Sequence, residues 1–244
     1  MCGRYAAGRQ PDQLMEQFHI DHDGTGGRIP APSYNVAPTT DVLTVVQAHD
    51  RRELKVMRWG LVPSWSKDTS MASHMINARA ETAATKPSFR HAFARQRCLI
   101  PADGFYEWHT PDADDPDAKR GKTGKVLKQP YFIRLADHTS LPMAGLYELW
   151  RDPSRVGQTD EVLITCTILT TAATANFEAI HDRMPMTIAA DAWDAWLDPG
   201  VQDRDEITSF MRPAGQLDLE MYPVSTAVNA VANNGPQLIE PLVE

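Results

Sequence analysis

The sequence has few cysteines and no long apolar run. Only three cysteines occur in 244 residues, at positions 2, 98 and 166, and three thiols cannot form a closed set of disulfides. Such a small number is typical of a reducing compartment. No apolar stretch approaches the ~18 residues that a membrane-spanning helix needs, and the opening MCGRYAAGRQPDQ lacks the apolar centre of a secretory signal. We therefore expect a cytoplasmic protein that does not enter a membrane.

Positive charge is also scarce. The chain carries 24 lysines and arginines against 32 aspartates and glutamates, which gives a net charge of −8. This balance argues against attraction of the whole surface to nucleic acid, but it leaves a local basic groove open. The acidic residues between positions 112 and 117 are followed directly by basic ones from 119 to 128. We interpret 111–125 as a solvated surface hairpin insert whose charges partly cancel.

Several signatures of catalysis are missing. The sequence has no CxxC pair, no HExxH and no GxSxG, and GTGG at 24–27 fits neither a dinucleotide nor a phosphate loop. His19 and His22 are too isolated to indicate a zinc site. We therefore expect neither a metal nor another cofactor.

The order of predicted elements indicates a single α+β domain without internal repeats. Strands outnumber helices and mostly follow one another without crossover helices, which favours an antiparallel, barrel-like sheet flanked by helices. A long loop is predicted at 21–40 and a tight loop that ends in proline at 180–185. The predicted helices are 11–18, 87–96, 172–179, 189–197 and 204–211. The predicted strands are 42–47, 53–59, 98–100, 104–108, 130–135, 143–150, 161–169 and 217–222.

Cys2 is the most informative single residue. Removal of Met1, which is usual before a small residue, would leave a 1,2-aminothiol: a free α-amine with a pKa of ~7.7–8.0 next to a thiol. A cation such as Arg4 is expected to make the thiol more reactive. The amine could act as base for the thiol, or it could form a Schiff base with an aldehyde that the thiol then closes to a thiazolidine. On this residue alone, an incidental cysteine is an equally good reading.

Other candidate residues occur in short polar segments. In an extended MINARAETA segment (75–83), Asn77, Arg79 and Glu81 would share one side. Asparagine can orient an amine, and arginine can hold a phosphate or carboxylate. In GFYEWH (104–109), a carboxylate at Glu107 would lie in a strand beside aromatic residues, where loss of hydration raises its pKa.

The segment IHDRMP (180–185) offers His181 for proton transfer near pH 7, together with Arg183. In WGLVPSW (59–65), Trp65 could stack on a base, whereas Trp59 is predicted to lie in the core. The remaining cysteines, at positions 98 and 166, occur in apolar strands and are predicted core residues.

Taken together, these segments resemble one known family. MCGRY, YNVAP (34–38), WGLVPSW, INARAET (76–82), CLIPADGFYEW (98–108), IHDRMP and PVSTAVN (223–229) occur in order over nearly the whole chain. They are similar to the SOS-response-associated peptidase (SRAP) family of abasic-site processing proteins. The resemblance implies a single domain with a curved antiparallel sheet and a basic groove for single-stranded DNA. It also implies a covalent thiazolidine between the N-terminal cysteine and the ring-opened aldehyde of an abasic site.

The resemblance also implies residue roles. Cys2 would be the nucleophile, and the site would be lined by Asn77, Glu107 and His181. DNA-binding residues would be Arg4, Asn35, Trp65, Arg79, Thr170 and Arg183. We expect a monomer whose partner is single-stranded DNA with abasic sites, located in the cytoplasm and at the nucleoid when DNA is damaged. Weak strand cleavage through the Schiff base and self-removal of Met1 are plausible side activities.

Three rival functions remain. Glutamine amidotransferases of the N-terminal-nucleophile class also open with Met-Cys-Gly, but this chain lacks the other glutamine-site motifs we would expect. The second rival is a peptidase that acts only on its own Met1. The third is a DNA-binding module without catalysis, in which Cys2 is incidental. The resemblance favours abasic-site chemistry over all three.

Overall fold

The computed structural model describes residues 2–112, 119–121, 123–155, 157 and 161–242. Its helices are short and its strands are many. The helices of the described part are α1 (Pro11–Gln17), α2 (Ala80–Ala83), α3 (Arg90–Arg95), α4 (Trp193–Leu197) and α5 (Arg204–Phe210). The strands are β1 (Tyr5–Ala7), β2 (His22–Asp23), β3 (Ser33–Val36), β4 (Asp41–Ala48), β5 (Arg51–Trp59), β6 (Asn77–Arg79), β7 (Arg97–Ala102), β8 (Gly104–His109), β9 (Gln129–Leu135), β10 (Leu141–Trp150), β11 (Leu163–Ala172), β12 (Arg183–Ile188), β13 (Met211–Pro213) and β14 (Leu219–Pro223).

The larger sheet closes on itself. Strand β10 pairs with β7, β7 with β4, β4 with β5, β5 with β11, and β11 returns to β10. Most of these pairs are antiparallel, but β11 runs parallel to both β5 and β6. A closed ring removes exposed strand edges. The predicted α+β domain with a barrel-like, mainly antiparallel sheet is therefore confirmed.

The smaller sheet carries the N-terminus. Its order is β14-β9-β8-β1-β3, so β1 lies between β8 and β3. Tyr5 is opposite Phe105 on one side and Val36 on the other. Strand β1 is therefore paired on both sides, which fixes the start of the chain within the smaller sheet.

Two large apolar clusters stabilise this arrangement. In one, helical residues such as Leu14, Phe93 and Trp196 pack against barrel residues that include Leu54 and Leu99. The other cluster joins residues of the two sheets, namely Cys2, Tyr5, Trp59, Cys98 and Cys166 among others. The predicted core positions of Trp59, Cys98 and Cys166 are thus confirmed, since all three are fully buried.

The helix predicted at 172–179 is wrong. The segment after β11 forms a series of turns, in which Phe177 N–H donates to Thr174 O at 2.7 Å. Strand β11 continues to Ala172, which pairs with Arg183 of β12. Formation of this antiparallel hairpin uses backbone groups that a helix would need, so tertiary pairing overrides the local helical pattern.

Two predicted loops contain strands. The loop predicted at 21–40 includes β2 and β3, which pair with β5 and β1 respectively. The loop predicted at 180–185 ends at Arg183, where β12 begins. Short strands among glycines and prolines have no clear local pattern. They form because they pair with strands that are distant in sequence, and a local pattern does not predict such pairing.

Part of the predicted insert lies outside the described residues. Within 111–125, this applies to 113–118 and 122, while Arg120 forms an isolated antiparallel bridge with Val126. The insert as a whole stays a prediction. None of the helices in the described part of the chain has the length and apolar character required to span a membrane.

Candidate active site beside the N-terminus

Cys2 lies three residues before the start of β1 and is fully buried. Its backbone carbonyl accepts a hydrogen bond from Asn77 Nδ2 at 2.8 Å. Asn77 is the first residue of β6, which runs parallel to β11 in the barrel. The asparagine therefore holds the N-terminal backbone of the smaller sheet against the larger one.

The Cys2 thiol differs from the sequence-based expectation. Burial raises the pKa of the Cys2 thiol well above its usual range, and the nearby carboxylate of Glu107 raises it further. The expected activation by the Arg4 cation is wrong, because Sγ lies 4.0 Å from the Arg4 carbonyl oxygen. The Arg4 guanidinium points elsewhere, with Nη1 2.7 Å from Asn35 Oδ1. The thiol in this arrangement is neutral and shielded.

Glu107 lies on β8 and is 2% exposed. Loss of hydration on burial raises the pKa of Glu107 to about 7. The predicted desolvated carboxylate is therefore confirmed. A carboxyl group with this pKa can donate or accept a proton near neutral pH.

His181 faces Glu107 from the β11–β12 connection. Its Nε2 lies 3.8 Å from Glu107 Oε2, and its Nδ1 accepts the backbone N–H of Arg183 at 3.0 Å. Partial burial lowers the pKa of His181, so the ring is neutral at pH 7. Nδ1 also lies 2.8 Å from Asp182 Oδ1. A ring nitrogen that accepts a backbone N–H has no proton for that exposed carboxylate, so the proton lies on Nε2, toward Glu107.

The Arg183 side chain is bound within the protein. Its Nη1 and Nη2 donate to the two carboxylate oxygens of Glu81 at 2.9 and 3.1 Å. Nη2 also donates to the backbone oxygen of the buried Thr170 at 2.6 Å. The expected alignment of Glu81 with Asn77 and Arg79 fails, because β6 ends at Arg79 and Glu81 lies in helix α2. Sequence reasoning missed the Glu81–Arg183 pair, whose members are 102 residues apart and share no local pattern.

Two predicted DNA-binding side chains are exposed. Trp65 is 61% exposed on the loop after β5. Arg79 is exposed at the end of β6 and makes no side-chain hydrogen bond or ion pair with any residue that the structure describes. Both can meet a ligand without rearrangement.

Asn35 is buried and joins residues 224–234, which we call the C-terminal segment, to the smaller sheet. Its Nδ2 lies within hydrogen-bonding distance of the backbone oxygens of Val228, Ala230 and Asn233, at 3.3, 3.0 and 2.9 Å. Arg4 Nη1 donates to the Val228 oxygen as well, at 3.1 Å. These contacts were not foreseen, since nothing in YNVAP indicates a partner near residue 230.

Comparison with known proteins assigns the chain to a family. The family model described as SOS response associated peptidase (SRAP) matches residues 1–231. This chain belongs to the SRAP family. Abasic site processing protein YoqW of Bacillus subtilis is 42% identical over 240 residues, which cover 98% of this chain and 99% of YoqW. Abasic site processing protein YedK of Escherichia coli is 32% identical over 247 residues, covering 99% of this chain and all of YedK.

A solved structure shares the SRAP fold of this chain. A crystal structure of a protein from Bacteroides thetaiotaomicron superposes with a TM-score of 0.81 at 23% identity and covers 99% of this chain and 100% of that one. At this identity the likeness shows the fold alone. It agrees with the α+β fold described above.

A cavity of about 440 Å³ is lined by residues other than the candidate catalytic ones. Its walls come from α1, β3 and the C-terminal segment, and include Asn35 and the Arg9–Asp103 ion pair. Cys2, Glu107 and His181 are not among its lining residues. Within the described residues, no group of histidine, cysteine and acidic side chains is arranged to hold a metal ion.

Proposed function

We propose that this protein binds single-stranded DNA and forms a covalent thiazolidine crosslink with abasic sites through Cys2, after removal of Met1. The names of the SRAP relatives support the abasic site as substrate. The observation that carries the proposal for this chain is the grouping of Cys2 with Asn77, Glu107 and His181 at one point between the two sheets.

The proposed chemistry requires no oxidant or cofactor. The α-amine of Cys2 attacks the aldehyde carbon of the ring-opened sugar, and the carbinolamine loses water to give an imine. Sγ then adds to the imine carbon, and the thiol proton passes to the nitrogen. The net reaction of aldehyde and aminothiol yields a thiazolidine and one water molecule.

The buried, neutral thiol favours the order in which the amine reacts first. A thiol whose pKa is raised by burial is a weak nucleophile. The amine, with an ordinary pKa of ~7.7–8.0, is partly unprotonated at neutral pH. The amine exists only after Met1 is removed, and Met1 lies outside the described residues. Asn77 supports this order because it holds the backbone of Cys2 in place for attack.

Proton transfer is assigned to Glu107, with His181 beside it. Opening of the sugar ring and loss of water from the carbinolamine both need a proton donor, and Glu107 has the pKa for that role. We further propose that the protein acts as a monomer, in the cytoplasm or at the nucleoid. Strand cleavage by β-elimination from the imine and self-removal of Met1 belong to the same proposal as side activities.

Crosslinking to single-stranded DNA with one abasic site tests the proposal. We expect wild-type protein to give a heat-stable band on a denaturing gel, with the mass of a chain that begins at Cys2. Cys2→Ala keeps an α-amine but lacks Sγ. It should lose the heat-stable band and retain a species that borohydride traps.

The other two cysteines provide matched controls. Cys98→Ala and Cys166→Ala should crosslink like wild type, because both thiols lie in the core. A heat-stable adduct of Cys2→Ala, or one formed by protein that still carries Met1, would exclude the thiazolidine.

A further inference from the structure

Arg183, beside the proposed active site, forms an ion pair with an acidic side chain. The Glu81 carboxylate accepts hydrogen bonds from both terminal nitrogens of Arg183, and Thr171 Oγ1 donates to the same carboxylate at 3.1 Å. The Arg183 side chain is 14% exposed, whereas Glu81 is 46% exposed. Solvent, or a ligand, can therefore reach this ion pair from the Glu81 side.

The pair lies next to the reactive groups. Arg183 is two residues from His181 and donates its backbone N–H to the ring. Its guanidinium also contacts Thr170, and Thr170 is in register with Arg79 across the β11–β6 pair. Arg79 and Arg183 thus lie on the two strands that flank β11, opposite Thr170 and Ala172 respectively. Among the described residues a carboxylate holds Arg183 but not Arg79.

A phosphate can use the same edge of the guanidinium as Glu81. Arginine binds carboxylate and phosphate with the same planar, two-point geometry. We propose that Glu81 is an internal substitute for a DNA phosphate, which holds Arg183 in place and limits the affinity for undamaged single strands. This inference rests on the proposed binding of single-stranded DNA.

The ion pair suits an exchangeable contact. Partial burial works against ionisation of Glu81, but hydrogen bonds from Arg183, the Glu81 backbone and Thr171, together with the charge of Arg183, outweigh it and lower the pKa of Glu81 to about 2. Glu81 is therefore ionised at any physiological pH, so pH does not release Arg183. Salt weakens the pair, because the Glu81 side chain is partly exposed. A phosphate offers the guanidinium the same two-point contact, so an incoming phosphate can displace Glu81.

Glu81→Gln and Glu220→Gln form a matched pair of variants. Glu220 also accepts a hydrogen bond from an arginine, since its Oε2 lies 2.9 Å from Arg134 Nε, and its side chain is 41% exposed. It lies on β14 in the smaller sheet. Each substitution removes one negative charge and leaves a side chain of the same shape, so the change in net charge is identical.

The experiment measures binding of a fluorescent oligo-dT strand by anisotropy over a range of salt concentrations. For Glu81→Gln we expect roughly fivefold tighter binding at low salt and a salt slope steeper by about 0.7, the value for one further phosphate on a single strand. Glu220→Gln should bind like wild type. In an Arg183→Ala background, Glu81→Gln should bring no gain, because no guanidinium remains to be released.

Three results would overturn the inference. The first is equal oligo-dT affinity of Glu81→Gln and Glu220→Gln, which would leave no effect beyond net charge. The second is weaker binding by Glu81→Gln than by wild type, which would mean that Glu81 orients Arg183 for DNA. The third is a gain in affinity from Glu81→Gln that persists in the Arg183→Ala background. Wild-type protein that binds oligo-dT and crosslinks to abasic DNA, while Glu81→Gln shows no gain, would contradict this inference alone. Wild type that neither binds nor crosslinks would contradict the proposed function itself.

Discussion

At the scale of single residues, burial shifts the pKa values of Glu107 and His181 in opposite directions. Burial disfavours the charged form of either group, so the pKa of Glu107 rises to about 7 while that of His181 falls. The histidine is neutral at pH 7, whereas the carboxyl group is divided between its two forms. Glu107 is therefore the candidate whose pKa lies at about 7, while the lowered pKa of His181 favours its neutral ring.

The rate of adduct formation should depend on pH through Glu107. As pH rises through about 7, Glu107 loses the proton it donates, while the amine gains reactivity up to ~8. Wild type should show a maximum between these values and a decline above it. Glu107→Gln should be roughly 10²-fold slower at that maximum and should reach a plateau above pH 8 without a decline. Crosslinking rates from pH 5.5 to 9.5 measure this.

Stability provides the control for that experiment. A carboxyl group whose pKa is raised by folding stabilises the fold below its unfolded pKa, and that stability is lost as pH rises through about 7. At pH 8, Glu107→Gln should therefore unfold at a higher temperature than wild type, so slow crosslinking would not reflect unfolding. A decline above pH 8 that persists in Glu107→Gln would assign the titration to another group.

At the scale of elements, one buried arginine joins two helices. Arg97, at the start of β7, is 2% exposed. Its guanidinium donates to backbone oxygens at the ends of α3 and α4, where helices leave carbonyl groups unpaired. The acceptors are Phe93 O, Ala94 O, Trp196 O, Asp198 O and Val201 O.

Loss of this side chain should destabilise the fold. Arg97→Ala leaves buried carbonyls without donors, and we expect the free energy of unfolding to fall by about 3 kcal/mol or more. Arg95→Ala, at an exposed position two residues away, should change it by less than ~0.5 kcal/mol. Urea denaturation measures both variants. Equal effects would show that the carbonyls find other donors.

At the scale of the whole molecule, the two ends of the chain are coupled near the proposed site. Arg4 and Asn35 both contact the backbone oxygen of Val228. Two apolar residues of the same region, Val224 and Val228, are fully buried beside Tyr106. The C-terminal segment therefore supports the sheet that carries Cys2 and Glu107.

Removal of the Asn35 amide should loosen that segment. Asn35→Ala deletes the donor to three backbone oxygens, and hydrogen exchange of the amides at 226–234 should accelerate by about tenfold or more, equivalent to ~1.4 kcal/mol. Asn176→Ala, at an exposed asparagine that contacts Gly215, is the control and should leave these amides unchanged. Unaltered exchange in Asn35→Ala would mean that apolar packing alone holds the C-terminal segment.

Much of the fold follows from local sequence. Local patterns predicted β4, β5 and β7 to β11, and the helix predicted at 87–96 is α3 in the structure. The carboxylate of Glu107 was predicted to be desolvated for the same reason, since aromatic neighbours in a strand indicate burial. Each of these features depends on residues close together in the chain.

What the sequence by itself determined is the class of fold, the core cysteines and the candidates for chemistry. Only the tertiary structure decided the state of those candidates. Burial between two sheets makes the Cys2 thiol neutral despite the adjacent Arg4, and a carboxylate 102 residues away occupies Arg183. The physical reason is that hydration and ion pairing depend on neighbours in space. The folding of distant strands onto β11 and β1 sets those neighbours, and no local spacing encodes them.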